Sequence, residues 1–197
     1  VRPSLKRIRI EGMYLDEEEL FDLLRSLQTI NSIVRFLSSQ ENNNEKEEVS
    51  NSYPCLSRLA NDICVFPKIV QRIGSILSPY GKIKDNASPE LARIRRELSA
   101  TMGSISRSLN NILRSAQSEG VVDKDVTPTM RDGRLVIPVA PALKRKIRGI
   151  VHDESASGKT VFIEPAEVVE ANNRIRELES DERREIIRIL SEFSASI

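Results

Sequence analysis

The sequence predicts a mainly α fold: a helical body, then two long antiparallel helices with a small antiparallel β insertion between them. Three observations carry that prediction. Hydrophobic residues make up 39% of the 197 and aromatic residues 4%, with no Trp, a composition that suits helices better than a sandwich of aromatic-rich strands. Apolar residues recur at spacings of three and four through most of the chain, the period of a one-sided helix. Between Val121 and Glu164 that period gives way to short β-branched runs bounded by Gly, Pro, Asp and Ser, which read as strands. The expected division is a body over 1–87, an outgoing helix over 88–120, the insertion over 121–164 and a returning helix over 165–197.

The first helix starts at Leu15-Asp16-Glu17-Glu18-Glu19-Leu20, where Asp16 can cap, Glu19 can complete a capping box and Leu15 can staple onto Leu20. Its stripe is Leu20, Leu23, Leu27, Ile30, Val34 and Leu37. Glu41–Ser52 is polar, rich in Asn and acids, and reads as a solvated loop. A second stripe, Leu56, Leu59, Ile63, Phe66, Val70, Ile73 and Leu77, is interrupted by Pro67, so two shorter helices or a kink are expected. Ser78-Pro79-Tyr80-Gly81 is turn chemistry, and residues 76–77 and 82–84 around it can form a tiny hairpin.

Ser88-Pro89-Glu90 supplies a cap, a proline at the first helical position and an acid in the first turn. Leu91, Ile94, Leu98, Met102, Ile105, Leu109, Ile112 and Ala116 then run on to Gly120, a helix roughly 45 Å long at about 1.5 Å per residue. Val121, Val122, Val126, Leu135–Val139, Gly149–Val151 and Thr160–Ile163 follow as strand candidates, with Arg131-Asp132-Gly133-Arg134 as a tight turn. Pro165 opens the last helix, whose stripe is Val168, Ala171, Ile175, Leu178, Ile186, Ile189 and Phe193, with Glu182 and Glu185 in a gap. Two helices of matching length are expected to bury each other's stripes and to hold the strands at the far tip.

Thirty Lys+Arg against 29 Asp+Glu leave a net charge of +1, which excludes a globally basic arm but not a local patch. Cys55 and Cys64 make no CxxC pair and no disulfide framework, which points to a reducing compartment and a cytoplasmic location. No run approaches the ~20 apolar residues of a membrane span, and the start, Val-Arg-Pro-Ser-Leu-Lys, is no signal peptide. The missing initial Met, and a last helix that reaches the chain end without a stop signal, suggest a piece of a longer protein.

Two segments of the insertion are long enough to be specific. Thr129-Met130-Arg131-Asp132-Gly133-Arg134-Leu135-Val136-Ile137-Pro138-Val139, followed by Gly149-Ile150-Val151-His152-Asp153-Glu154-Ser155-Ala156-Ser157-Gly158-Lys159-Thr160-Val161-Phe162-Ile163-Glu164-Pro165, resembles the MutS family in its second paralogous branch (MutS-two). Ala87–Arg96, Val168–Asn173 and Arg2-Pro3-Ser4-Leu5 are similar to the same branch, so the resemblance covers nearly the whole chain. It implies that this stretch is the family's core and lever region, with the clamp inserted at the lever tip. It implies too that the family's ATPase, with ATP and Mg, and this branch's Smr nuclease module lie C-terminal to it, leaving no catalytic domain and no cofactor here. By the same resemblance the intact protein is an ATP-driven homodimeric clamp on branched or otherwise non-standard DNA that restrains recombination. Some members are linked to stalled ribosomes and RNA. No membrane partner is implied.

Ser157-Gly158-Lys159-Thr160 imitates the end of a phosphate-binding loop, but Asp153 stands where the pattern needs its first Gly, and strand-like residues follow where it needs a helix. A hairpin turn with an exposed Lys fits better. His152, the single histidine, beside Asp153 and Glu154, falls short of the three-ligand set of a metal site. No group completes a triad with Ser155 or Ser157. A turn held by Asp and Ser hydrogen bonds is the plainer expectation, and an enzyme built on His152, Asp153 and Ser157 ranks last.

Charge says more. Residues 131–159 hold Arg131, Arg134, Lys144, Arg145, Lys146, Arg148 and Lys159 against Asp132, Asp153 and Glu154, a net +4, whereas residues 164–185 hold eight acids and four arginines, a net −4. A cationic tip can neutralise phosphates without reading sequence, and those seven basic residues are the candidate nucleic-acid backbone contacts. No aromatic interleaves them, so base stacking is not indicated. A solvated surface that happens to be basic explains the count equally well on the residues alone. The resemblance favours the first reading, because the family's clamp contacts the nucleic-acid backbone. The alternative is a helical protein–protein interaction module that binds no nucleic acid.

Overall fold

The computed structural model describes residues 1–39 and 53–197, and the polar loop read over Glu41–Ser52 lies outside them. The fold is mainly helical with one small antiparallel sheet. In chain order the elements are α1 (Arg2–Arg7), α2 (Glu17–Ser39), α3 (Pro54–Asn61), α4 (Pro67–Ile76), α5 (Pro89–Ser118), β1 (Thr129–Arg131), β2 (Arg134–Val139), β3 (Gly149–Glu154), β4 (Val161–Pro165) and α6 (Val169–Ser194). They form two units, Val1–Pro89 with Ile186–Ile197, and Glu90–Glu185.

In the first unit the capping box forms as its residues predict. The Glu19 N–H donates to Asp16 Oδ1 at 2.8 Å and the Asp16 N–H to Glu19 Oε2 at 3.2 Å, satisfying donors that a helix start leaves open. Leu15, Leu20, Leu23, Leu24 and Leu37 are buried, whereas Ile30 in the middle of the stripe is exposed. Proline divides the second stripe into α3 and α4, each carrying its proline in the first turn. Of that stripe Ile73 and Leu77 are buried, as is Ile76 outside it, while Leu56, Leu59, Ile63 and Phe66 are exposed. The reason lies in α3, which buries its small residues Ser57 and Ala60, and Ser57 Oγ donates to the Leu37 carbonyl of α2 at 3.3 Å. The tiny hairpin is present as one bridge between Leu77 and Ile83. Gly81 turns it at φ 77°, and a Cβ there would meet the Phe21 ring at 2.9 Å, so both backbone conformation and space call for glycine. The end of α6 is part of this unit: Ser194 Oγ accepts from the Leu15 N–H at 2.9 Å, and the Arg72 guanidinium lies 5.3 Å from the Phe193 ring centre.

In the second unit α5 begins at Pro89 and ends in a Schellman closure. Gly120 takes φ 71°, its N–H bonds the Gln117 carbonyl, and the Val121 N–H bonds the Ala116 carbonyl. Val121 and Val122, expected as a strand, are instead the apolar residues after that closure, buried with Ala116 in the core. The sheet is antiparallel with order β1-β2-β4-β3. Asp132 and Gly133 close the β1–β2 hairpin at φ 47° and 73°, the two positive values of a type I′ turn. β1 has no counterpart among the expected strands, being three residues long and largely exposed. Pro165, expected to open the last helix, closes β4 in an extended conformation (φ −60°, ψ 143°), and a 3-10 turn over Ala166–Val168 leads into α6. A proline ring fixes φ only, so it permits either outcome.

One core holds this unit together. Ile105, Leu109, Leu113 and Ala116 of α5 are buried with Ile137 and Val139 of β2, Val161 and Ile163 of β4, and Val168 and Ile175, each large side chain contributing about 1.5–3 kcal/mol. The sheet therefore packs along the C-terminal half of α5, whereas the sequence predicts two helices that bury each other's stripes and hold the strands at the far tip. An apolar stripe wider than a coiled-coil seam serves two neighbours at once. α5 and α6 are tied directly by Arg95–Glu182 and Arg174–Glu97, both at 2.7 Å, and the order of these pairs along the chain makes the helices antiparallel. Glu182, in the gap of the α6 stripe, is there to meet Arg95.

Candidate nucleic-acid interface

The seven basic residues come from separate places in the sheet and its connections. Arg131 ends β1 and Arg134 starts β2; Lys144, Arg145 and Lys146 stand in a 3-10 turn over Pro141–Lys146; Arg148 precedes β3; and Lys159 lies in the β3–β4 turn. All but Arg134 are exposed, and none of those six has an acidic partner among the described residues. Some arginines of the helices differ, although Arg96, Arg107, Arg114, Arg176 and Arg183 likewise have no carboxylate partner among the described residues. Arg93 bridges Glu90 and Glu97, Arg95 meets Glu182, Arg174 bridges Glu97 and Glu177, and Arg184 pairs with Asp181.

Arg134 is spent inside the fold. Its Nη1 donates to Glu164 Oε1 and its Nη2 to Asn173 Oδ1, both at 2.7 Å, and its side chain is only 15% exposed. Glu164 is fully buried and gathers partners from three elements: Arg134 of β2, His152 of β3 with Nε2 at 2.5 Å, and Asn172 of α6 with Nδ2 at 2.7 Å. Asn172 also exchanges hydrogen bonds with the Leu135 backbone, giving to its carbonyl at 3.2 Å and taking from its N–H at 3.3 Å. Burial alone pushes the Glu164 carboxyl up, but the bonds from His152, Asn172 and Arg134, with the Arg134 charge, outweigh it and hold the group below the ordinary carboxylate range. An ionised carboxylate only accepts, so the His152 ring donates. Three neighbours of this hub, Arg134, Asn172 and His152, thereby lock α6 to the sheet. Gly149 stands beside it for a steric reason, since a Cβ there would lie 2.1 Å from the Glu164 carbonyl oxygen.

This corrects the expectation for His152. It lies in β3 at a register shift between Val151 and Asp153 and serves the Glu164 hub, not a turn. The turn begins at Ser155, whose N–H and Oγ both bond Thr160 and whose carbonyl accepts from Gly158. Ser157 Oγ reaches only Ser155 Oγ, at 3.5 Å, and Asp153 Oδ1 accepts the Glu154 N–H, so His152, Asp153 and Ser157 are not brought together as a catalytic set. β4 follows the Ser157–Thr160 turn, so these residues do not fit a nucleotide phosphate, which needs a helix there. Among the described residues no group of three His, Cys, Asp or Glu could hold a metal ion, no helix is long and apolar enough to cross a membrane, and Cys55 and Cys64 are exposed and unpaired.

Sequence reasoning missed Glu164, Asn172 and Asn173, and it missed Phe162, over whose ring the Arg131 guanidinium lies 4.1 Å from the centre. A signal was present at one of them: Glu164 is a lone acid at the end of the strand-like run Thr160–Ile163.

No protein-family model matches the chain. It is 37% identical over 197 residues to a protein of Pelotomaculum thermopropionicum named endonuclease MutS2, covering all of this chain and 24% of that one. It is 38% identical over 194 residues to the endonuclease MutS2 of Lacticaseibacillus paracasei (98% of this chain, 23% of that one), and 37% over 197 residues to that of a Geobacillus strain, with 24% of the latter covered. The chain thus spans about a quarter of the length of these relatives. Aligned from end to end at this identity, the chain matches one stretch of the MutS2 endonucleases, as a MutS2 fragment does.

Proposed function

We propose that this chain is the core, lever and clamp stretch of a MutS2 protein, and that the exposed cations of its sheet take hold of nucleic-acid backbone. The observation that carries this reading is that Arg131, Lys144, Arg145, Lys146, Arg148 and Lys159 all face solvent without acidic partners among the described residues, within one short stretch of net charge +4. An unpaired cation gives up no ion pair when a phosphate arrives, and the released counterions drive binding. Such contacts position a duplex without reading its sequence. Helices of 30 and 26 residues, joined to each other by ion pairs, with α6 tied to the sheet by the Glu164 hub, suit a lever that moves the sheet as a piece.

In the whole protein, ATP and Mg would serve an ATPase outside this chain, as would any nuclease activity, and the working form would be a homodimer on branched or otherwise non-standard DNA, with stalled ribosomes and RNA as targets in some members. This chain itself hydrolyses nothing.

The test is binding of linear duplex, branched DNA and structured RNA to the 197-residue chain and to its K144E/R145E/K146E variant, at two salt concentrations. Affinity that falls steeply with salt, and by about tenfold or more in the variant, supports the reading; binding indifferent to both overturns it. A second reading, a protein-docking helical module, draws on the exposed Leu56, Leu59, Ile63 and Phe66 and predicts a partner whose binding tolerates salt.

A further inference from the structure

We propose that Arg131 is the fixed phosphate-gripping residue of this surface and that Phe162 is its positioning residue, a division of labour that rests on the backbone-binding reading above. Arg131 and Arg134 face each other as the closing pair of the β1–β2 hairpin, and like charges across such a pair repel. Each is relieved differently. Arg134 turns inward to Glu164 and Asn173. Arg131 has no acid and lies on the face of Phe162, 4.1 Å from the ring centre. Phe162 is 6% exposed and sits in β4 between Pro138 of β2 and Asp153 of β3, so the platform beneath Arg131 is rigid.

A guanidinium held over a ring face needs no acid there and keeps N–H donors that can match two phosphate oxygens. Because the ring already restricts the side chain, less rotamer freedom is lost when a phosphate is bound. Among the described residues none of the other five exposed cations has an aromatic ring beneath it. They supply field, whereas Arg131 supplies a defined point of contact. The aromatic residue that serves the basic patch comes from β4 and meets a cation, not a base.

The experiment titrates a labelled DNA duplex with the full chain and with R131Q, R131K, F162L and the K144E/R145E/K146E variant, across a salt series. R131Q removes a phosphate contact, and the slope of log affinity against log salt becomes shallower by about 0.9. R131K and F162L keep the charge, so the slope stays, but affinity falls roughly two- to fivefold with the stacking lost. R131K is exposed and leaves the fold intact, which keeps the test sound if F162L is unstable; thermal melting of each variant checks this. Wild-type affinity and slope in R131Q, or wild-type affinity in R131K, with the triple variant still impaired, overturns the assignment of Arg131 and leaves the backbone-binding reading standing. An unimpaired triple variant overturns both.

Discussion

Five arginines of α5 and α6 (Arg93, Arg95, Arg174, Arg184 and Arg188) are ion-paired, whereas the exposed cations of the sheet are not; Arg96, Arg107, Arg114, Arg176 and Arg183 of the helices stand with the latter. Each of those five has a carboxylate within reach, some across the helix pair and some along one helix. In the sheet, six cations face water with none. Exposed ion pairs contribute little stability each, so Arg95 and Arg174, whose pairs with Glu182 and Glu97 cross between α5 and α6, act chiefly as register marks. The sheet's exposed cations have, among the described residues, no carboxylate to cancel their charge. Glu164 marks the border between the two populations: by taking in Arg134 it turns one member of the basic set into structure.

Breaking that border should have the largest effect. Glu164→Ala leaves Arg134 largely buried and uncompensated and frees Asn172 and His152, at a cost of about 3–5 kcal/mol in urea unfolding, whereas Glu164→Gln, which keeps the shape and part of the hydrogen bonding, costs less. A stability loss equal to that of an exposed pair would show that Arg134 belongs with the free cations after all. Gly149→Ala pushes a methyl group into the Glu164 carbonyl and should cost about 1–3 kcal/mol, with hydrogen exchange of β3 and β4 amides faster than in the wild type. Acid sharpens the same point. Because Glu164 is held below the ordinary carboxylate range, its contribution is complete at neutral pH and is lost as pH falls through that lowered value; melting temperature should drop there, and less so in Glu164→Gln. The smallest effect is expected on the helices. Arg174→Gln should leave melting nearly unchanged and duplex binding untouched. A binding loss there would erase the distinction between the two regions.

How much of this was readable from the chain differs by feature. Local chemistry was legible wherever it acts within a few residues: the Asp16–Glu19 box, the break at Pro67, the start at Pro89 and the turn at Asp132-Gly133 are all where the residue types require. Val121 and Val122 misled because β-branched residues after a helix look like a strand, while a Schellman closure wants an apolar residue in the same place. β1 was missed because three mostly exposed residues carry no alternation. The exposed cations were visible as a count, and the count overstated them, since no charge sum reveals that Arg134 turns inward. Glu164 is separated by 30 residues from Arg134, and only the sheet order that places β4 between β2 and β3 brings its partners together.

The most direct measurement is the salt dependence of duplex binding by the unmodified chain. Each phosphate neutralised contributes about −0.9 to the slope of log affinity against log salt, so two to six engaged cations give roughly −2 to −5. A slope in that range is the predicted result; a slope near zero, at any affinity, would contradict the claim that the sheet's unpaired charges are what hold the ligand.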